Sequence, residues 1–193
     1  MQRKQNQYLI IVCEGLSEYA YIQELNRTLR ELDVHAVLRP VCIGSGFYAN
    51  AVAKFRQVKK DNPRDAIHIW VDYDIYARNE RNCREEYERR PQGIPAFLFS
   101  RQNFEDFLAT HLDVTRLRTW VEHCRKIRHL ETPLPSSRHI PLFQNVLFQN
   151  YEKGYLPFAF STTTLRQMLE NQAKDDMPFH CDFADLIRGL LVG

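Results

Sequence analysis

The chain has 193 residues, 44% apolar and 26% charged, with 26 basic against 24 acidic side chains and a formal net charge of +2. These values describe one globular domain with a sizeable core, with room for a helical appendage, and the near-balance of charge neither marks nor excludes a nucleic-acid binder. No run approaches the roughly 20 apolar residues of a membrane span, and the polar start "MQRKQNQ" does not read as a signal peptide, so no membrane partner and a cytoplasmic location are expected.

In chain order, "YLIIVC" (8–13) is a short branched apolar run closed by Glu14 and Gly15, the pattern of a strand buried on both faces. "SEYAYIQELNRTLRELD" follows with Ile22, Leu25, Leu29 and Leu32 at helical spacing, and Ser17 is placed to cap it. "HAVLRPVCIG" predicts a second strand, with Pro40 marking it as an edge. "GSGFYANAVAKFRQVKKD" opens on a glycine turn and continues as a helix through Val52, Phe55 and Val58. "AIHIWVDYD" is the third strand, Ile67, Ile69 and Val71 alternating with His68, Trp70 and Asp72. "RNERNCREEYERR" is expected to be a solvated helix or loop, "IPAFLFS" a fourth strand, and "NFEDFLATHL" a helix capped by Asn103. This alternation implies an α/β domain over 1–112, a mostly parallel sheet flanked by helices. From 113 to 193 the apolar spacing is helical in "VTRLRTWVEHCRKI", "FQNVLFQNY", "TLRQMLENQ" and "FADLIRGLL", separated by loops such as "ETPLPSSRHIP", which predicts a helical C-terminal extension or subdomain. The five cysteines, Cys13, Cys42, Cys83, Cys124 and Cys181, stand singly, which argues against a compact zinc site or a disulfide framework.

Functional groups of an open parallel sheet gather beyond the carboxyl ends of its strands, where the pattern puts Glu14 after the first strand and Asp72 and Asp74 after the third. Asp72 and Asp74, two apart in an extended segment, are expected to start on the same side. Converging carboxylates repel one another, so one takes up a proton or a divalent cation offsets the charge, and oxygen-only ligands favour Mg²⁺ or Mn²⁺. Glu18 either faces the same site, one turn along from Glu14, or is an exposed residue near the helix N-terminus. "KFRQVKKDNPR", with Lys54, Arg56, Lys59 and Lys60, and "RTWVEHCRKIRH" offer phosphate contacts, or else solvated helix faces. Arg78, Arg81 and Arg101 follow the relevant strands, and Lys153 and His111 are more remote candidates.

"LIIVCEG" before a helix, then "IWVDYD", resembles the TOPRIM domain. "VCEGLSEYAYIQEL" and "FSRQNFEDFLATHL" are most similar to its RloB-like and OLD-family nuclease group, over roughly residues 8 to 112. The resemblance implies a Rossmann-like fold in which Asp72 and Asp74 bind a divalent metal. Glu14 is then a ligand or the general acid/base, and Glu18 and Glu105 are further metal-ligand candidates. It also implies phosphodiester hydrolysis in DNA or RNA, in bacterial anti-phage defence alongside an ATPase. The sequence has no G-x-x-x-x-G-K-[ST] loop, so that ATPase is expected to be a separate partner; self-association is a further possibility. The alternative is a non-catalytic binding or regulatory module on the same fold.

Overall fold

A computed structural model describes residues 7–192; the polar start of the chain, residues 1–6, lies outside them. Four strands, β1 (Gln7–Cys13), β2 (Ala36–Cys42), β3 (Ala66–Asp72) and β4 (Leu98–Ser100), form one sheet. Their order is β2-β1-β3-β4 and every pairing is parallel. Parallel strands need crossovers, here α1 (Leu16–Glu31), α2 (Tyr48–Asp61) and the segment of α3 (Asp74–Ala77) and α4 (Cys83–Glu88). The fold is therefore α/β, with helices on both faces.

β1 lies between two neighbours, which is why its apolar run does not alternate with polar residues. Its odd positions, Leu9, Ile11 and Cys13, join one core, and Ile10 and Val12 join the other. The second core is built with α2, α3 and α4 through Val52, Phe55, Tyr76 and Cys83. The first is larger: α1 and α5 (Phe104–Ala109) share it with α6 (Val114–Lys126), α7 (Ser136–Val146), α8 (Thr162–Gln172) and α9 (Asp182–Val192). Residues 113–192 thus cover one face of the sheet. Trp70 shows the joint, with its ring stacked on Phe183 at 4.0 Å and its indole N–H donated to Ser100 Oγ at 2.9 Å.

The sheet edges are protected differently. β2 pairs only with β1 and carries Pro40 opposite Ile11, where a missing N–H on the free side costs no ladder bond. β4 is covered by the chain leading into α9. Cys181 bridges Ser100, Arg101 N–H donates to the His180 carbonyl at 2.9 Å, and Phe99 N–H donates to Asp182 Oδ2 at 3.0 Å.

Five local expectations are corrected. Gly15, not Ser17, is the N-cap of α1, and Ser17 Oγ instead accepts the Gly154 N–H at 3.0 Å. β4 spans only 98–100 of the run 94–100. α7 starts at Ser136 and contains Pro141, so the helix lies where prolines had suggested a loop, and it stops before "LFQNY". Asp72 and Asp74 do not share an extended segment, because β3 ends at Asp72 and Asp74 opens the helical turn α3. The expected solvated segment 78–90 forms a 3-10 turn (Glu80–Asn82) and α4, but it buries Cys83 and packs Tyr87 on Phe97 and Phe99.

Candidate metal centre

The carboxyl edge of the sheet is assembled from five elements. β1 delivers Glu14, α1 delivers Glu18 from its first turn, β3 and α3 deliver Asp72 and Asp74, and α5 delivers Glu105. Beyond the last β3–β4 pair the ladder continues for two bonds, Tyr73 N–H to the Ser100 carbonyl and Asp74 N–H to the Gln102 carbonyl, each 3.0 Å. Gln102 then adopts φ 65°, a left-handed conformation that turns the chain into α5. This turn sets Asn103 beside Asp74, with Asn103 Nδ2 3.4 Å from Asp74 Oδ2.

Glu18, Asp72, Asp74 and Glu105 are buried and Glu14 is half-buried. Glu14 Oε2 accepts the Asp72 N–H at 3.2 Å, and the Gly46 N–H faces the same carboxylate. A side chain at Gly46 would push the Glu14 carboxylate aside, because a Cβ there would sit 2.7 Å from its carboxyl carbon. Glu18 reaches back to the Gly15 N–H at 3.1 Å, and Glu105 Oε1 accepts from Tyr151 Oη at 3.0 Å. Asp74 accepts the Ile75 N–H at 2.6 Å and pairs with Arg78 at 3.1 Å. Asp72 Oδ1 is different: it is buried with no hydrogen-bond partner.

The electrostatics follow from this crowding. Burial, then repulsion from Asp74, raises the Glu14 pKa to about 7 against the two N–H groups and Lys153. Burial, Glu14 and Glu105 push Glu18 up to about 8. Asp72 is raised well above the carboxylate range by burial and then by Glu14, Glu18, Asp74 and Glu105. Asp74 and Glu105 are also raised by burial, opposed by Arg78 for Asp74 and by His139 and Lys153 for Glu105. Lys153, an exposed lysine from the segment after α7, lies close enough to stabilise the charged forms of Glu14, Glu18 and Glu105.

The five carboxylates are an all-oxygen donor set that fits a hard divalent ion, and the orphaned Asp72 Oδ1 is an acceptor such an ion would satisfy. The oxygens are not drawn into a tight shell, however. Among the described residues, the groups of three or more ligand atoms within 4.8 Å of one another are elsewhere: Asp106–Cys124–His129 and His180–Asp182–Asp185.

The first of these is a buried network. Asp106 accepts from Trp120 Nε1 at 2.8 Å, from His129 Nε2 at 2.9 Å and from its own N-cap, Asn103 N–H, at 3.1 Å. His139 Nε2 stands 3.2 Å away at ion-pair distance, its ring stacked on His129. Burial alone would raise the Asp106 pKa, but these partners hold it far below the usual range. Leu134 N–H donates to His129 Nδ1 at 2.9 Å, so the ring proton is on Nε2, which cannot then ligate a metal. In the surface group, Asp182 is committed to Phe99 N–H and Asp185 to Arg188.

The basic candidates divide by position. Arg78 spends its guanidinium on Asp74, Glu80 and the Pro133 carbonyl. Arg81 lies over the Phe47 ring and Arg101 over the Tyr73 ring, and Arg101 is exposed beside the site. Lys54 and Arg56 lie along α2, while Lys59 donates to the Asp65 carbonyl at the start of β3. α2 runs away from the carboxyl edge, so Lys59 and Lys60 are at the opposite edge, and the structure does not bring them to the carboxylates. His111 is a core residue 3.1 Å from Tyr21 Oη, its pKa lowered by burial to about 3. Asp106 and its histidines are what sequence reasoning missed. The only signal was the acid pair Glu105-Asp106, of which helix-dipole effects alone gave sufficient account.

Comparison with protein-family models, with curated proteins and with solved structures returned no match. Among the described residues no helix is long and apolar enough to cross a membrane.

Proposed function

We propose that this chain is a metal-dependent TOPRIM-type nuclease that hydrolyses phosphodiester bonds in DNA or RNA. One observation carries this: five carboxylates from five elements meet at the carboxyl edge of a parallel sheet, with the buried Asp72 Oδ1 unsatisfied. Such crowding is costly in an apo protein unless a cation is part of its working state. Glu14, Asp72 and Asp74 would hold Mg²⁺ or Mn²⁺, with Glu18 and Glu105 adjacent. When bound, the ion supplies Lewis-acid polarisation of the phosphate and an activated water. Glu14 is the alternative general acid/base: burial and Asp74 raise its pKa to about 7 without the ion, and a bound cation would lower it. Lys153 is placed to offset charge that develops on the phosphate oxygens. The resemblance to RloB-like proteins adds a separate ATPase partner and a role in anti-phage defence.

A second reading, a non-catalytic binding module, is favoured by the engagement of Asp74 with Arg78 and by the loose spacing of the carboxylates. Incubation with Mn²⁺ and labelled single-stranded or plasmid DNA and RNA separates the two. The nuclease reading expects cleavage lost at least 100-fold in Asp72→Asn and in Lys153→Ala. Equal products from wild type and Asp72→Asn would sink it.

A further inference from the structure

The geometry points to single-stranded nucleic acid as the substrate of the acidic site, held in a groove between α1 and residues 154–160. This rests on the nuclease reading and specifies its substrate class. The groove encloses about 590 Å³ and is lined by Tyr19, Gln23 and Arg27 on α1 and by Tyr155, Phe158 and Phe160 opposite. Its Gly154 end is tied to the helix turn that carries Glu18: Gly154 N–H is bonded to Ser17 Oγ, next to Glu18 in sequence, and Lys153 immediately precedes it. From Tyr19 to Arg27 it follows α1 for about 12 Å, away from the carboxylates.

Its lining has the chemistry of a base-stacking platform. Of the nine tyrosines three are exposed, Tyr8, Tyr19 and Tyr155, and two of those three flank this groove. Tyr155 is 69% exposed, which leaves its ring free to stack on a base. Every base has a π-face, so aromatic rings bind unpaired strands with little sequence preference, whereas bases inside a duplex are already stacked. The charge pattern points the same way. Among the described residues the groove lining holds one cation, Arg27, which is paired with Glu24 at 2.5 Å, and the nearby Lys153 faces Glu14, Glu18 and Glu105, so stacking must carry most of the affinity. A duplex-binding surface would instead present a row of cations to both phosphate backbones.

The test is fluorescence anisotropy on the full chain without added divalent metal, using fluorescein-labelled 12-nucleotide DNA and RNA, single-stranded or annealed. The expected result is single-strand binding at least ten-fold tighter than duplex binding, weakened at least five-fold by Tyr19→Ala and by Tyr155→Ala. The slope of log affinity against log salt should be no steeper than about −1.4, the value for two phosphate contacts on a single strand. Duplex binding as tight as single-strand binding, tyrosine variants that bind like wild type, or a steeper salt slope each overturn the groove. Mn²⁺ calorimetry on the same proteins keeps the two proposals apart. Both tyrosine variants should bind Mn²⁺ as wild type does, whereas a wild type that binds none overturns the nuclease reading, whatever the oligonucleotides do.

Discussion

Gly46 passes so close to the Glu14 carboxylate that a methyl group in its place would displace it. Gly46→Ala should therefore cost about 1–3 kcal/mol of stability from overpacking and weaken Mn²⁺ binding at least ten-fold, read by urea denaturation and calorimetry. A destabilised variant with unchanged Mn²⁺ affinity would separate Glu14 from the metal. The raised pKa values of Glu14 and Glu18, about 7 and about 8 against ordinary values of 4.5, also make stability depend on pH. Below pH 4.5 both states are protonated and these groups cost nothing. As pH rises towards 8 the unfolded chain loses protons that the folded chain keeps, so folding stability falls. In chelator the melting temperature should decline between pH 5 and 8, and Mn²⁺ should restore it most at pH 8. A flat or rising profile in chelator would contradict this.

At the scale of elements, α5 has only six residues yet sends Glu105 to the carboxylate cluster and Asp106 to the opposite, buried side. So short a helix has little stability of its own. The Asp106 carboxylate ties it to Trp120 on α6, to His129 and to His139 on α7. Asp106→Asn leaves the shape nearly intact but removes the charge that all three partners face. It should cost about 3 kcal/mol or more, the range for breaking a buried charged pair, measured by urea denaturation. A loss under 1 kcal/mol would show that packing alone holds α5.

At the scale of the whole molecule, legibility followed the range of the interactions. β1 and β3 could be read because a strand buried on both faces leaves an unbroken apolar run, and Pro40 correctly marked an edge. Glu14, Asp72 and Asp74 follow from that frame, since strand ends lie at one rim of a parallel sheet. Ser17 misled because a preferred capping residue in the first turn, two positions past the true cap Gly15, looks the same in sequence whether it caps a helix or binds Gly154, 137 positions away. Prolines in "TPLPSSRHIP" suggested a loop because tertiary packing, which holds Pro141 inside α7, is invisible locally. The Asp106 network draws on residues 103 to 139, and no spacing rule joins them. Lys153 could be named only as a remote candidate, because its approach depends on how the segment after α7 folds back over α1. The central claim, that this rim binds a divalent metal, is tested most directly by titrating Mn²⁺ at pH 8 into wild type, Glu14→Gln and Asp72→Asn by calorimetry. Saturable binding by wild type, weakened at least ten-fold in both variants, is the predicted result; no binding, or equal binding by all three, would contradict it.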